Sequence, residues 1–275
     1  MSNEEKGGGQ RRHWNSVYAD SLDFFGEGPS AVAESALEVF RRNGAERVLE
    51  LGFGQGRDTF LFAREGLEVT ALDYSETAVE EVRARAAELG LAGRITALQS
   101  DLREPLSLPD RSVDACFAHM LLCMEFSSRQ IEALLREIHR VLRPGGVLVY
   151  SVRSTFDKHY RAGTHLAEDL YEVGGFAVHF FSEAKIRQVA RGYEVLELNR
   201  VEEGSLPRDL FVASLRKVEG FDFDATDDDG KERDMGETMD RFQGFFDAAY
   251  GPGVLDRKTK HLLALSASLA TGCDS

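Results

Sequence analysis

The sequence predicts an α/β fold: a doubly wound, mostly parallel seven-stranded sheet with an antiparallel edge hairpin, followed by a short helical appendage. Three observations predict it. Short apolar runs alternate with amphipathic ones from about residue 46 to 152, the rhythm of βαβ units around a parallel sheet. A glycine loop, Gly52-Phe53-Gly54-Gln55-Gly56, opens directly after the first apolar run and directly before a helical pattern. Two later apolar runs are joined only by Gly204-Ser205-Leu206-Pro207, a link that suits antiparallel neighbours.

Residues 1–11 are polar and glycine-rich and read as a disordered arm. Residues 12–18 carry a short helical pattern that sets Trp14 and Tyr18 on one face. A second helix follows Pro29, with Ala33, Leu37 and Phe40 at helical spacing. The run 46–52 suits a strand buried on both faces. Helix is then expected over 57–64, strand over 67–72, and helix from an N-cap at Ser75 to Leu89. Strands follow at 94–98 and 113–118, a helix runs from Ser127 to Leu142, and Pro144-Gly145-Gly146 ends it before a strand at 147–152. Residues 154–175 show no clear period, as expected of a functional or disordered segment. A helix from Ser182 and strands at 193–201 and 210–215 complete the domain, which is expected to span 12–217. Residues 218–233 read as an acidic linker, and 234–275 as a helical tail.

Composition narrows the function. Acidic residues number 47 against 33 basic ones, giving a net charge of -14 that repels phosphate backbones, so nucleic acid is not the expected partner. No run is long and apolar enough to cross a bilayer, and the N-terminus lacks a signal-peptide core, so the expected compartment is the cytoplasm. Cys116, Cys123 and Cys273 are too few and too scattered for a disulfide framework or a metal site.

The glycine loop carries the chemistry. Glycine there allows a tight turn and close approach of a ligand to the backbone. The spacing is G-x-G-x-G, where loops that cradle a pyrophosphate read G-x-G-x-x-G, and Glu50 stands just before it. A carboxylate at that point repels a diphosphate and suits an amino group, such as that of S-adenosylmethionine. Asp73 follows the second strand, where an acidic side chain can accept ribose hydroxyls. Asp101 follows the third, placed to accept from an adenine amine.

In this order and spacing, the loop, Asp73, Asp101-Leu102 and the Arg143-Pro144-Gly145-Gly146 turn resemble class I S-adenosylmethionine-dependent methyltransferases of the small-molecule type. The resemblance implies that Glu50, Gly52, Gly54 and Gly56 line the methionine part of the cofactor. It implies that Asp73 holds the ribose, Tyr74 flanks the adenine, and Asp101 with Leu102 meets its edge. His119 and Met120, ending the fourth strand, are implied near the sulfonium. Phe53, replacing a small residue, is expected to narrow the pocket. Shorter motifs, including Ser151-Val152-Arg153, are similar to those of tellurite-resistance methyltransferases.

Methyl transfer asks mainly for alignment and exclusion of water, so the cofactor motif says little about the acceptor. Trp14 and Tyr18 are expected to close over the cofactor as a lid, Tyr18 as a cofactor contact and Trp14 as an acceptor contact, with further acceptor contacts from Arg153, Lys158, His159, Tyr160, His165 and His179. Arg153 in particular has the forked geometry to hold an anion. Arg208 is expected either to face the pocket or to pair with surface carboxylates, the second being favoured. The tail from Val254 to Cys273 resembles the start of a carboxymuconolactone decarboxylase-like domain without its second cysteine and histidine, so redox chemistry is not expected of it; it is expected to dock on the main domain, to self-associate or to be the front of a longer product, self-association being favoured. A nonenzymatic S-adenosylmethionine-binding sensor stays open as an alternative. So does an NAD-type oxidoreductase, against which the loop spacing and Glu50 argue.

Overall fold

The computed structural model describes residues 28–204 and 208–223, all of which except Phe223 belong to the first of the chain's two units, Met1–Asp222. Along the chain run α1 (Ala31–Arg42), β1 (Arg47–Leu51), α2 (Arg57–Arg64), β2 (Glu68–Asp73), α3 (Glu76–Glu88), β3 (Ile95–Gln99) and β4 (Val113–His119). Then come α4 (Ser128–Val141), β5 (Leu142–Arg153), β6 (Thr164–Ala167), β7 (Leu170–Val173), β8 (Phe176–His179), α5 (Glu183–Val189), β9 (Tyr193–Glu203) and β10 (Arg208–Lys217). Seven strands form one sheet in the order β3-β2-β1-β4-β5-β10-β9. The first five are parallel, β10 is antiparallel to β5, and β9 is antiparallel to β10. The expected doubly wound sheet with an antiparallel edge hairpin is what the chain forms.

Helix starts follow from local chemistry. Ser30, Ser75, Ser127 and Ser182 sit in extended backbone, and each side chain accepts from an amide of the first turn. Ser127 and Gln130 complete a reciprocal capping box. The strands divide their side chains between two cores with a period of two. Val48, Ala115, Phe117, Val147 and Val149 join the cluster under α1, α2 and α3, while Leu49, Cys116, Ala118, Leu148 and Tyr150 join the one under α4 and α5. Each fully buried large apolar side chain contributes about 1.5–3 kcal/mol, so the two cores hold the sheet from both faces.

The structure departs from expectation in residues 154–175. Much of that stretch, continued to His179, forms a separate three-stranded meander, β6-β7-β8. Its strands are four residues long, and β6 is exposed throughout, so no apolar alternation announces them. The turn was visible: Gly174-Gly175, both at positive φ, joins Val173 to its partner Phe176, the two-residue hairpin geometry that glycine pairs favour. Strand β5 also starts earlier than expected, directly after α4, with an irregular register where Val113 and Ala115 oppose it. The arm, Trp14, Tyr18, the acidic linker beyond Phe223 and the helical tail lie outside the described residues.

Candidate active site

Register lines up the carboxyl ends of the parallel strands. Glu50 lies beside Ala71 and Phe117, Asp73 beside Gln99, and His119 beside Ser151. After β1 the chain bends through Gly52, Gly54 and Gly56, all left-handed at φ 69°, 53° and 74°. A Cβ on Gly52 would stand 2.8 Å from the Leu121 side chain, and one on Gly56 2.6 Å from Val82. Sterics and backbone angle therefore both demand glycine there. The Gly54 amide donates to Asp73 Oδ2 at 2.9 Å, and the Ser75 amide to Asp73 Oδ1 at 2.9 Å. Burial raises the Asp73 carboxyl above its ordinary value, and these amides oppose the rise. One side chain thus ties the glycine loop to the start of α3. A carboxylate has room for about four hydrogen bonds, so Asp73 keeps some acceptor capacity beyond the Gly54, Ser75 and Tyr74 amides.

Glu50 is buried beneath the loop, where Thr59 Oγ1 donates to its Oε2 at 2.5 Å. Burial, reinforced by Asp58, pushes its carboxyl up to about 8. Asp58 is engaged in turn, accepting from the Ser30 amide at 2.7 Å and the Ser30 hydroxyl at 2.9 Å, which pins α1 to the first turn of α2. Sequence reasoning missed Asp58 and Thr59, although both lie in the helix that opens from the loop.

His119 ends β4. Its Nδ1 lies 2.8 Å from Ser151 Oγ, and its Nε2 lies 3.3 Å from Arg57 and 3.4 Å from Glu203 Oε2. Burial, then the Arg57 and Arg208 guanidiniums, push it down to about 3, so the ring is neutral at ordinary pH. Met120, at φ 53°, donates its amide to Ser151. Arg57, the first residue after the loop, also reaches Glu203 Oε1 at 3.5 Å, linking the ends of β1, β4 and β9.

Several expected contacts are placed differently. Arg153 is buried in a two-pronged pair with Asp157, at 2.8 and 2.7 Å, and approaches His159 Nδ1 at 3.0 Å. Burial alone would raise the Asp157 carboxyl, but the Arg153 hydrogen bonds and the His159 and Asp209 amides hold it at about 2. The guanidinium expected to grasp an anion is thus spent on an internal carboxylate. His179 is fully buried between the Phe126 carbonyl, 2.7 Å from Nδ1, and Lys185 at Nε2. Tyr160 packs against Tyr171 and Phe180 and donates to Asp169 at 2.8 Å. These residues join the meander to the sheet. Phe53, expected to narrow the pocket, is buried in the α1–α3 core. Asp101 is exposed, with Arg103 bound to both of its oxygens at 2.9 and 2.6 Å, while Leu102 belongs to the core under α4 and α5. Tyr74 is half-buried, its carbonyl accepting from Gln99 at 3.1 Å. Lys158 is exposed, and the His165 ring contacts the Glu168 carbonyl at 2.7 Å. Arg208, expected to pair with surface carboxylates, is half-buried without an ion pair or hydrogen bond among the described residues. Cys116 and Cys123 are fully buried thiols, and burial pushes Cys123 up to about 11.

Residues 48–146 match the methyltransferase domain family. The chain is 32% identical over 123 residues to malonyl-[acyl-carrier protein] O-methyltransferase of Serratia marcescens, covering 44% of this chain and 43% of that one. It is 38% identical over 114 residues to a probable S-adenosylmethionine-dependent methyltransferase of Mycobacterium tuberculosis, covering 41% and 38%. The chain therefore aligns with less than half the length of these relatives. The Burkholderia thailandensis 1,6-didemethyltoxoflavin-N1-methyltransferase, solved with 1,6-didemethyltoxoflavin and S-adenosylhomocysteine, shares the fold with a TM-score of 0.62 at 23% identity, over 80% of this chain and 92% of that one. Residues 236–275 match the carboxymuconolactone decarboxylase family. The stretch matched by the methyltransferase family runs from β1 to the turn before the regular part of β5, so it holds the glycine loop, Asp73 and His119. Among the described residues no helix is long and apolar enough to cross a membrane.

Proposed function

We propose that this chain is an S-adenosylmethionine-dependent methyltransferase acting on a small-molecule acceptor. One observation carries the reading: three left-handed glycines bend over the buried Glu50, with Asp73 holding Gly54 in place. The fit is electrostatic as well as steric. Glu50 lacks a cationic partner strong enough to keep it ionised, and an ammonium beside it would supply one. The methyltransferase relatives support the same donor.

In this reading Glu50, Gly52, Gly54 and Gly56 hold the amino-acid end, and Asp73 offers its remaining acceptor capacity to the ribose. Tyr74, Asp101 and Leu102 serve the adenine, with Asp101 exchanging Arg103 for it. His119 and Met120 border the reacting region, and Phe53 supports the loop from the core side. Trp14, Tyr18, His159 and Tyr160 are assigned to the closure of the acceptor crevice. When bound, S-adenosylmethionine supplies a methyl carbon made electrophilic by its sulfonium. The protein's part is to align the acceptor and exclude water. Where the acceptor releases a proton, His119 Nε2 and Glu203 Oε2 are the groups at the end of β4 positioned to take it. The carboxymuconolactone decarboxylase match over 236–275 supports a separate tail segment, to which we assign self-association.

The test is a product screen. The full chain, S-adenosylmethionine and pools of small carboxylic acids, thiols and nitrogen heterocycles are incubated, and mass spectrometry reads any gain of a methyl group together with S-adenosylhomocysteine. Tight cofactor binding without product from any pool would favour a sensor over an enzyme.

A further inference from the structure

Arg208 opens β10 and is paired with Glu203 across the hairpin. Because β10 runs antiparallel to β5, its first residue lies level with the carboxyl end of β5, where Leu210 pairs with Arg153. Arg208 is half-buried, yet among the described residues it makes no hydrogen bond and no ion pair. Its guanidinium donors therefore face water in place of a carboxylate, and an anion can reach them without displacing a protein partner.

The nearby carboxylates explain why it is left over. Both oxygens of Asp157 are taken by Arg153, and they also accept the His159 and Asp209 amides. Asp209 is filled by Arg200 and Ser154. Glu203 leans toward Arg57 through Oε1, while its buried Oε2 has no hydrogen bond and stands 3.4 Å from His119 Nε2. A cation without an anion and a carboxylate oxygen without a donor therefore lie on paired residues. Arg57 ties them to the glycine loop, since it follows Gly56 directly and contacts both His119 and Glu203.

We propose that Arg208 anchors an anionic group of the methyl acceptor, a carboxylate or a phosphate, while Glu203 Oε2 accepts a hydrogen bond from an N–H or O–H on the same molecule. The assignment of that molecule as the acceptor rests on the methyl-transfer reading of the crevice. The surroundings agree with the charge. Burial and the neighbouring Arg153 lower the affinity of Arg208 for its proton, and the opposite charge of an arriving anion offsets them. On a chain of net charge -14, a local cation of this kind selects anions that the rest of the surface repels.

Thermal unfolding of the full chain, with and without S-adenosylhomocysteine, would be followed in succinate, inorganic phosphate and succinamide. Succinate or phosphate at millimolar concentration is expected to raise the midpoint and succinamide to leave it unchanged, the two anions separating carboxylate from phosphate preference. Arg208→Gln should weaken that response at least tenfold while S-adenosylhomocysteine affinity stays within about twofold, which also shows that the variant folds. Arg208→Lys, a point charge replacing a two-pronged donor, should give a several-fold loss and serves if the Gln variant does not fold. An anion response equal in wild type and variants, or no anion response at all, would overturn the proposal. So would a tenfold loss of S-adenosylhomocysteine affinity in Arg208→Gln, because Arg208 would then hold the cofactor's own carboxylate. If the wild type responds to anions but binds no S-adenosylhomocysteine, the methyl-transfer reading falls, and with it the assignment of the anion to an acceptor.

Discussion

At the ends of β1 and β2, the groups that meet are close in sequence: Glu50 with Thr59, and Asp73 with Gly54 and Ser75. At the ends of β5 and β10, Asp157 meets the Asp209 amide and Ser154 meets the Asp209 side chain, 52 and 55 residues apart. The first region is shaped by backbone angles that only glycine adopts readily, so its chemistry is written in adjacent letters. The second is a network of ion pairs whose partners are chosen by strand register. In the first, a motif locates the site. In the second, the same residue types in a sequence say nothing about which charge is already neutralised.

Arg153 and Arg208 show the consequence. Both are arginines near strand ends, and only the folded chain reveals that Asp157 occupies one and leaves the other. Most of the main sheet was legible, because strands β1 to β5 alternate with capped helices and the last hairpin has a short link. The meander β6-β7-β8 was not, since its strands are four residues long and run from fully exposed β6 to largely buried β8 with no apolar rhythm, although Gly174-Gly175 marked its turn. In the site, Glu50, the glycines and Asp73 stood out by spacing. Asp58, Glu203 and the Arg153–Asp157 pair did not, because their meaning depends on burial and long-range contact.

The contrast can be broken most forcefully at Arg153. Arg153→Met leaves the buried Asp157 carboxylate without its cation and is expected to destabilise the domain by about 3–5 kcal/mol, measured by urea unfolding. Its effect also has a pH signature. Asp157 is held at about 2, so the pair's contribution is complete above the ordinary carboxylate value near 4 and fades as pH falls toward 2. Stability curves for wild type and variant should therefore converge in acid. A variant as stable as wild type at pH 7 would show the network to be incidental.

Asp73→Ala comes next. It removes the partner of two amides, so a stability loss of about 2–3 kcal/mol should accompany a loss of cofactor affinity of similar size. Unchanged S-adenosylhomocysteine affinity in the folded fraction would place the ribose elsewhere.

Glu50→Gln should separate function from stability. Because burial raises Glu50 to about 8, its neutral form is favoured by the fold, and the stability this provides is full below about 4.5 and lost as pH rises toward 8. The Gln variant should therefore unfold at a higher temperature than wild type near pH 8, with the difference shrinking toward pH 5. It should also bind S-adenosylhomocysteine roughly tenfold more weakly, the scale of one charged hydrogen bond. Equal affinity at both pH values would remove Glu50 from the cofactor site.

The smallest effect is expected in the meander. Gly174→Ala places a side chain at φ 60° with no neighbour in its way, so only backbone strain of about 1 kcal/mol is incurred. Cofactor affinity should not change, and a change would tie the meander to the crevice.

The most direct test of the central claim is calorimetric titration of the full chain with S-adenosylhomocysteine and, separately, with NAD. A left-handed glycine bend above a buried carboxylate should take the amino-acid nucleoside at one site per chain and give no heat with the dinucleotide. Saturable binding of NAD, with none of S-adenosylhomocysteine, would contradict the account at its root.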